Sequence, residues 1–291
     1  MKCCLACDHC FESETWKCPR CGRRPTLRNG VLCFIENPPA TCNGFKPEYF
    51  AKLATFEEDN FWFRARNRLI QWALGNYFAD AESFFEIGCG TGFVLRGVCE
   101  NLPRIRLSGS EIFSDGLVFA RARLPKADLY QMDARQIPFE HEFDVIGAFD
   151  VLEHIDEDDL VLRQMFRATR PGGGILVTAP QHRLLWSATD EHSMHLRRYS
   201  RDELRTKVEQ AGFRIQRITS FVSLLLPFMI CSRMKRTRRD FQLWREFEIS
   251  RPLNAVLERI LAAERAMIEK GISFPAGGSL LLIAKRPVTD L

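Results

Sequence analysis

The chain has no long apolar run. No stretch reaches the roughly 18–20 consecutive apolar residues that cross a bilayer, and the opening Met1-Lys2-Cys3-Cys4-Leu5 lacks the apolar core of a signal peptide. A cytoplasmic chain is expected. Charge excess is also small: 41 Lys and Arg against 37 Asp and Glu leave a formal +4, too mild by itself to imply a nucleic-acid partner. The P-loop pattern G-x-x-x-x-G-K-[ST] does not occur, which argues against a phosphate cradle of that kind. Internal repeats and low-complexity tracts are missing too.

Cysteine is what the first residues do have. Eight of the eleven cysteines fall within residues 1–42, and clustering without a secretion signal favours metal over disulfides. Cys4-x2-Cys7 and Cys18-x2-Cys21 are two knuckles separated by ten residues. Four thiolates complete a tetrahedral zinc shell and leave no open position, so the expected Zn2+ is structural. Cys10 is a rival ligand, because Cys7-x2-Cys10 has the same spacing. Cys3, Cys33 and Cys42 are left spare. Residues 1–45 are expected to form a zinc ribbon, since so short a unit scarcely folds without such a staple.

Residues 46–82 read as a helical lid or linker with the aromatic–basic patch Phe61-Trp62-Phe63-Arg64-Ala65-Arg66. From Ser83 the pattern alternates. Strands are predicted at Ser83–Gly88, Arg106–Glu111, Leu129–Asp133, Phe143–Phe149, Gly174–Pro180, Phe213–Phe221 and near Ser279–Pro287, with helices between them. Such alternation implies βαβ units and a mostly parallel sheet. Ser200-Arg201-Asp202-Glu203 is a capping box opening a helix, and Arg170-Pro171-Gly172-Gly173 is stop chemistry. The last strand follows a mostly helical insertion, about 222–274, and is expected to enter antiparallel beside the sixth.

Glu86-Ile87-Gly88-Cys89-Gly90-Thr91-Gly92 stands where the first strand turns into the first helix, the place where open α/β sheets bind ligands. The dinucleotide fingerprint G-x-G-x-x-G/A fails, because its last position falls on Phe93. Glu86 would repel a pyrophosphate and suit a cation. This loop resembles motif I of the class I S-adenosylmethionine-dependent methyltransferases. Later motifs follow in that family's order: Glu111, Met132-Asp133-Ala134, Phe149-Asp150-Val151-Leu152-Glu153-His154 and Arg170-Pro171-Gly172-Gly173-Gly174. The resemblance implies a doubly wound, mostly parallel, seven-stranded Rossmann-like α/β sheet over residues 83–291. It also implies S-adenosyl-L-methionine as cofactor, held by Glu86, Gly88, Gly90, Gly92, Glu111, Asp133, Ala134 and Asp150. Glu111 would take the ribose hydroxyls and Asp133 the adenine amino group.

Methyl transfer is an in-line displacement in which positioning supplies much of the rate. A base helps when the acceptor must lose a proton, and histidine is the usual choice near neutral pH. His154, His192 and His195 are the candidates. Ser220–Ser232 is apolar, kinked at Pro227, and followed by Arg233, Lys235, Arg236, Arg238 and Arg239, a pattern that permits peripheral membrane contact through 220–239. The expected function is methylation, at oxygen, of a small-molecule or lipid-like acceptor. Two alternatives stand beside it: an RNA methyltransferase whose ribbon binds RNA, and a non-catalytic zinc-ribbon adaptor. Nucleic acid is the less favoured partner, because ribosomal-RNA enzymes with ribbons mix Cys and His whereas this one reads as four Cys.

Overall fold

The computed structural model describes residues 1–35, 48–235 and 247–288. Lys2–Cys3 (β1) and Cys10–Phe11 (β2) pair antiparallel. A hairpin follows, Thr26–Arg28 (β3) with Val31–Cys33 (β4). Its two-residue turn, Asn29-Gly30, has positive φ at both positions, the backbone that favours Asn-Gly in tight hairpins. The helical segment divides into Tyr49–Phe56 (α1) and Phe61–Tyr77 (α2), where the Asn60 side chain caps α2 by accepting from the Trp62 N–H at 2.9 Å. Then come Ser83–Ile87 (β5), Phe93–Asn101 (α3), Arg106–Glu111 (β6), Ser114–Arg123 (α4), Asp128–Gln131 (β7), Phe143–Phe149 (β8), Asp158–Ala168 (α5), Thr169–Pro180 (β9), Ala188–His192 (α6), Arg201–Gln210 (α7), Arg214–Phe221 (β10), Leu226–Lys235 (α8), Arg251–Glu269 (α9) and Ser279–Lys285 (β11).

The sheet order is β10-β11-β9-β8-β5-β6-β7-β4-β3. β9, β8, β5, β6 and β7 are parallel, and β11 runs antiparallel between β9 and β10, as the sequence predicted. Every residue of β5 is buried, as expected of a central strand covered on both faces. One apolar layer, with Ile70, Leu74, Leu95 and Ile268, covers one face; another, with Phe85, Ile146, Met165 and Val208, covers the other.

Two expectations need correction. Among the described residues, two strands join the seven expected over residues 83–291, because β4 pairs parallel with β7 (Leu32↔Tyr130, Cys33↔Gln131) and β3 lies outside it. The second half of the expected ribbon is therefore part of the sheet, where it covers the otherwise open edge of β7. Cys33, taken as spare, is buried there. Secondly, the turn at 170–173 belongs to β9. Pro171 cannot continue a helix, and the extended chain pairs onward: the Gly172 N–H donates to the Arg286 carbonyl, and the Gly173 carbonyl accepts from the Arg286 N–H. Cys42, the 45/46 boundary and the basic residues Arg236, Arg238 and Arg239 lie outside the described residues. Among the described residues no helix is long and apolar enough to cross a membrane.

Candidate active site

The carboxyl ends of β5, β6, β7 and β8 open into one cavity of about 1420 Å³. Gly88, Gly90 and Gly92 all have positive φ, which only glycine adopts without strain. At Gly88 a Cβ would also lie 2.5 Å from Val151 Cγ2. Glu111, at the end of β6, fixes the loop. Its Oε2 accepts from the Gly90 N–H at 3.1 Å, and its Oε1 accepts from the N–H groups of Ile112 (2.8 Å) and Phe113 (3.2 Å). Burial pushes its pKa up and these three donors pull against it. Asp133 lies in a forked pair with Arg135, the closest contact 2.6 Å. Burial works to raise its pKa, and Arg135 outweighs that and holds it below the usual carboxylate range. Glu111, Asp133 and Ala134 all line the cavity.

Glu86 lies at the floor and is 3 % exposed. Its Oε2 has no hydrogen-bond partner among the described residues, and burial raises its pKa well above the ordinary carboxylate value. Such an orphaned acid fits a cationic ligand group. Over the loop sit α1 and α2. Phe50 stands 3.6 Å from the position of a Gly90 Cβ. Glu57 accepts from the Thr91 hydroxyl (2.6 and 2.7 Å) and from Arg123 at 2.7 Å. Arg66 pairs with Asp150 and stacks over Trp62, 4.5 Å from its ring centroid. Asp150, expected to hold the cofactor, thus reaches the cavity already engaged by α2. Thr91 and Arg66 were named in the sequence only as members of the loop and the aromatic–basic patch, and Glu57 not at all. Only the three-dimensional approach of α1 and α2 to the loop reveals them.

The opposite wall is built by the turn at Leu152–His154 and the chain after β9. Asp190 is its hub. It caps Ser187, accepts from His195 Nδ1 at 2.9 Å, and receives Arg198 in a fork (2.7 and 3.0 Å). Burial works to raise the Asp190 pKa, but His195 and Arg198 outweigh it and hold it far below the carboxylate range. An ionised Asp190 accepts only, so His195 Nδ1 donates to it, and the other ring nitrogen, Nε2, points away from Asp190. Nε2 faces Glu153 Oε1 at 4.0 Å. His154 stands edge-on to His195, with ring centroids 4.8 Å apart. Burial, then His195, push the His154 pKa down to about 3, against hydrogen bonds to the backbone of Met194 and Ser193. Tyr199 is fully buried and donates to Asp158 at 2.6 Å. The His195-x-x-Arg-Tyr stretch is thus a clamp that places His195.

His192 is a correction. It is exposed, with Nδ1 2.9 Å from the Ala188 carbonyl of its own helix, and it does not line the cavity. One helical turn from the wall is enough to aim it elsewhere. Glu153 was quoted within a motif but given no role. It is fully buried, and neither carboxylate oxygen has a hydrogen-bond partner among the described residues. Its burial, then Asp150, raise its pKa well above the ordinary value. The signal available beforehand was an acid inside an apolar strand-end motif, next to a histidine.

At the other end of the chain the Sγ atoms of Cys4, Cys7, Cys18 and Cys21 lie within 4.8 Å of one another, with Cys4–Cys21 at 3.5 Å and Cys7–Cys18 at 3.7 Å. Tetrahedral thiolates at a Zn–S distance of about 2.3 Å stand ~3.8 Å apart, so these residues fit a zinc ion. Cys10 is removed from the ligand set by its disulfide with Cys3, a residue taken as spare.

The domain family described as "Methyltransferase domain" matches residues 85–175. The chain is 29% identical over 163 residues, 55% of its length, to a protein of Mycolicibacterium smegmatis named "Probable S-adenosylmethionine-dependent methyltransferase". It spans 62% of that relative. It is 37% identical over 110 residues to the ubiquinone/menaquinone biosynthesis C-methyltransferase of Pseudoalteromonas translucida, covering 36% of this chain and 41% of that one. Among solved structures, the [4+2]-cyclase SpnF has the same fold, with a TM-score of 0.52 at 20% identity over 78% of this chain and 84% of that one. The fold is that of the methyltransferases, and a fold-mate named for another reaction shows that fold alone does not fix chemistry.

Proposed function

We propose, for a chain that carries a methyltransferase domain of the class I S-adenosylmethionine-dependent type, that it moves the methyl group of that cofactor to an oxygen of a small, partly apolar acceptor. One observation carries this reading: the orphaned Glu86, the Gly88–Gly92 loop, Glu111 and Asp133 all face one cavity. They match a ligand with an amine, a sugar diol and an exocyclic amine. Glu86 would take the amino group. Glu111 would accept from the ribose hydroxyls, since each carboxylate oxygen has lone pairs beyond those it uses here. Asp133 would take the adenine amino group beside Ala134, while Asp150 holds Arg66 and the lid. When bound, the cofactor supplies an electrophilic methyl group on a sulfonium.

The chain's own contribution is placement and dryness. Phe50, Trp62 and Phe63 line the cavity from the lid side, where they keep water from the cation and strengthen its pairing with Glu86. Val222, Leu225, Met229 and Phe247 line the far side, a surface that suits an apolar acceptor body. The acceptor's polar end would face His154 and His195, whose accepting nitrogens can take a proton or hold a cation. Phe228 (71 % exposed), Ile230 and Leu224 on and before α8 are exposed, which supports peripheral contact with a lipid surface and a lipid-like acceptor. Cys4, Cys7, Cys18 and Cys21 would hold a structural zinc against the edge of the sheet, where Trp16 packs edge-on against Phe34 and Phe139.

The test is incubation of the full chain with methyl-labelled cofactor and separated lipid, small-molecule, RNA and protein fractions. Label in the lipid or small-molecule fraction supports the proposal. Label in RNA alone favours the RNA reading and overturns this one, as does cofactor binding with no label in any fraction.

A further inference from the structure

We propose that Glu153, His154 and His195 bind a divalent transition-metal ion, of the zinc or ferrous class, at the acceptor end of the cavity. One ligand atom from each of the three lies within 4.8 Å of the others, and His195 Nε2 stands 4.0 Å from Glu153 Oε1. Two imidazoles and one carboxylate are a donor set that such ions take, with positions left open for a further ligand.

The carboxylate is the sharpest sign. Glu153 is 0 % exposed, and both its oxygens lack a hydrogen-bond partner among the described residues. A buried carboxylate without donors is costly unless a cation or a proton completes it. Nearby Asp150 cannot help, since it carries the same charge. Arg66 and Arg198 stand close enough to be felt, yet each is already paired, with Asp150 and with Asp190. Neither is hydrogen-bonded to Glu153 among the described residues.

The histidines are also prepared as ligands. His195 donates Nδ1–H to Asp190 at 2.9 Å, and Asp190 is itself locked by Arg198 at 2.7 Å. That carboxylate–histidine pair fixes the ring and leaves Nε2 facing Glu153, the outer support that metal-bound histidines ordinarily have. His154 is held likewise through the backbone at Ser193 and Met194. The cluster stands apart from the four cysteines in chemistry, since it offers nitrogen and oxygen only.

The ion's role towards the acceptor rests on the methyl-transfer reading; its binding does not. A hydroxyl bound in an open position would lose its proton to solvent more readily. The freed oxygen pair would then form the new C–O bond as the methyl C–S bond breaks.

The test uses the full chain and zinc alone. Protein is loaded with Zn2+, freed of excess by gel filtration, and its metal counted by mass spectrometry beside Glu153→Gln and His195→Ala. The expected result is about one more zinc per chain in the wild type than in either variant. Co2+ loading should likewise show visible bands without sulfur charge transfer that both variants lose. Glu153→Gln keeps the shape of the side chain and removes an unpaired charge, so it is expected to fold. Equal metal content in the wild type and folded Glu153→Gln overturns the proposal, and points to a protonated Glu153. Calorimetry with S-adenosylhomocysteine separates the two readings: failure of the wild type to bind it would sink the methyl-transfer reading and leave the metal count standing.

Discussion

The two ends of the cavity treat their acids differently. At the glycine-loop end, Glu111 accepts from three backbone N–H groups and Asp133 is forked with Arg135. These acids are fixed before any ligand arrives. At the histidine end, Asp190 is equally well held, by Ser187, His195 and Arg198, while Glu153, facing the other nitrogen of the His195 ring, has no hydrogen-bond partner among the described residues. Glu86 shares that condition at one oxygen. Satisfied acids build the walls, and unsatisfied ones mark where a ligand's charge belongs. The contrast follows from the same rule applied twice, since a buried polar group is either paired within the protein or awaits a partner.

Five substitutions probe that contrast. Asp190→Asn breaks the hub and leaves Arg198 and His195 without their acid; it should cost about 3 kcal/mol of stability, read by denaturant unfolding. The sign with pH is fixed by its lowered pKa: the contribution is complete above 3.8 and fades as pH falls below it. The wild type and Asp190→Asn curves should therefore converge in acid. If they remain apart there, Asp190 is not the ionised hub described. Glu111→Ala frees the loop and should weaken S-adenosylhomocysteine binding about 100-fold, or about 2.7 kcal/mol, with Glu153→Gln changing that affinity little. Equal losses in both would erase the distinction between the two ends.

Glu86→Gln is the intermediate case. Its folded pKa is raised, so the stability tied to this group is present below 4.5 and lost as pH rises through the folded value. The ligand-free variant should gain about 1 kcal/mol at neutral pH, shrinking towards pH 4.5, while cofactor affinity falls. A thermal-denaturation series across pH checks this; a loss of stability at neutral pH would show that Glu86 is satisfied. Smallest of all, His192→Ala should change stability by less than about 0.5 kcal/mol and leave turnover intact. A large drop in turnover would bring His192 back to the site.

Much of the core was legible beforehand, because its signals are local. Glycines at the end of an apolar run, the Ser200–Glu203 box and the order of acidic strand ends all lie within a few residues of what they specify. The edge pairing of β4 on β7 was not, since it joins Leu32 to Tyr130 across 98 positions of chain and no local pattern announces a partner. The same holds for the clamp at Asp190. Of its residues only His195 was named as a candidate beforehand, and the pairing depends on how that loop folds back onto Leu152–His154. Cys10 shows the limit of spacing, which admitted it as a zinc ligand until its bond with Cys3 removed it.

The most direct measurement is a crystal structure of the full chain soaked with S-adenosylhomocysteine. The account predicts its amino group at Glu86, its ribose hydroxyls at Glu111 and its adenine amine beside Asp133. Electron density anywhere else, or a loop at 88–92 too closed to admit the ligand, would contradict it.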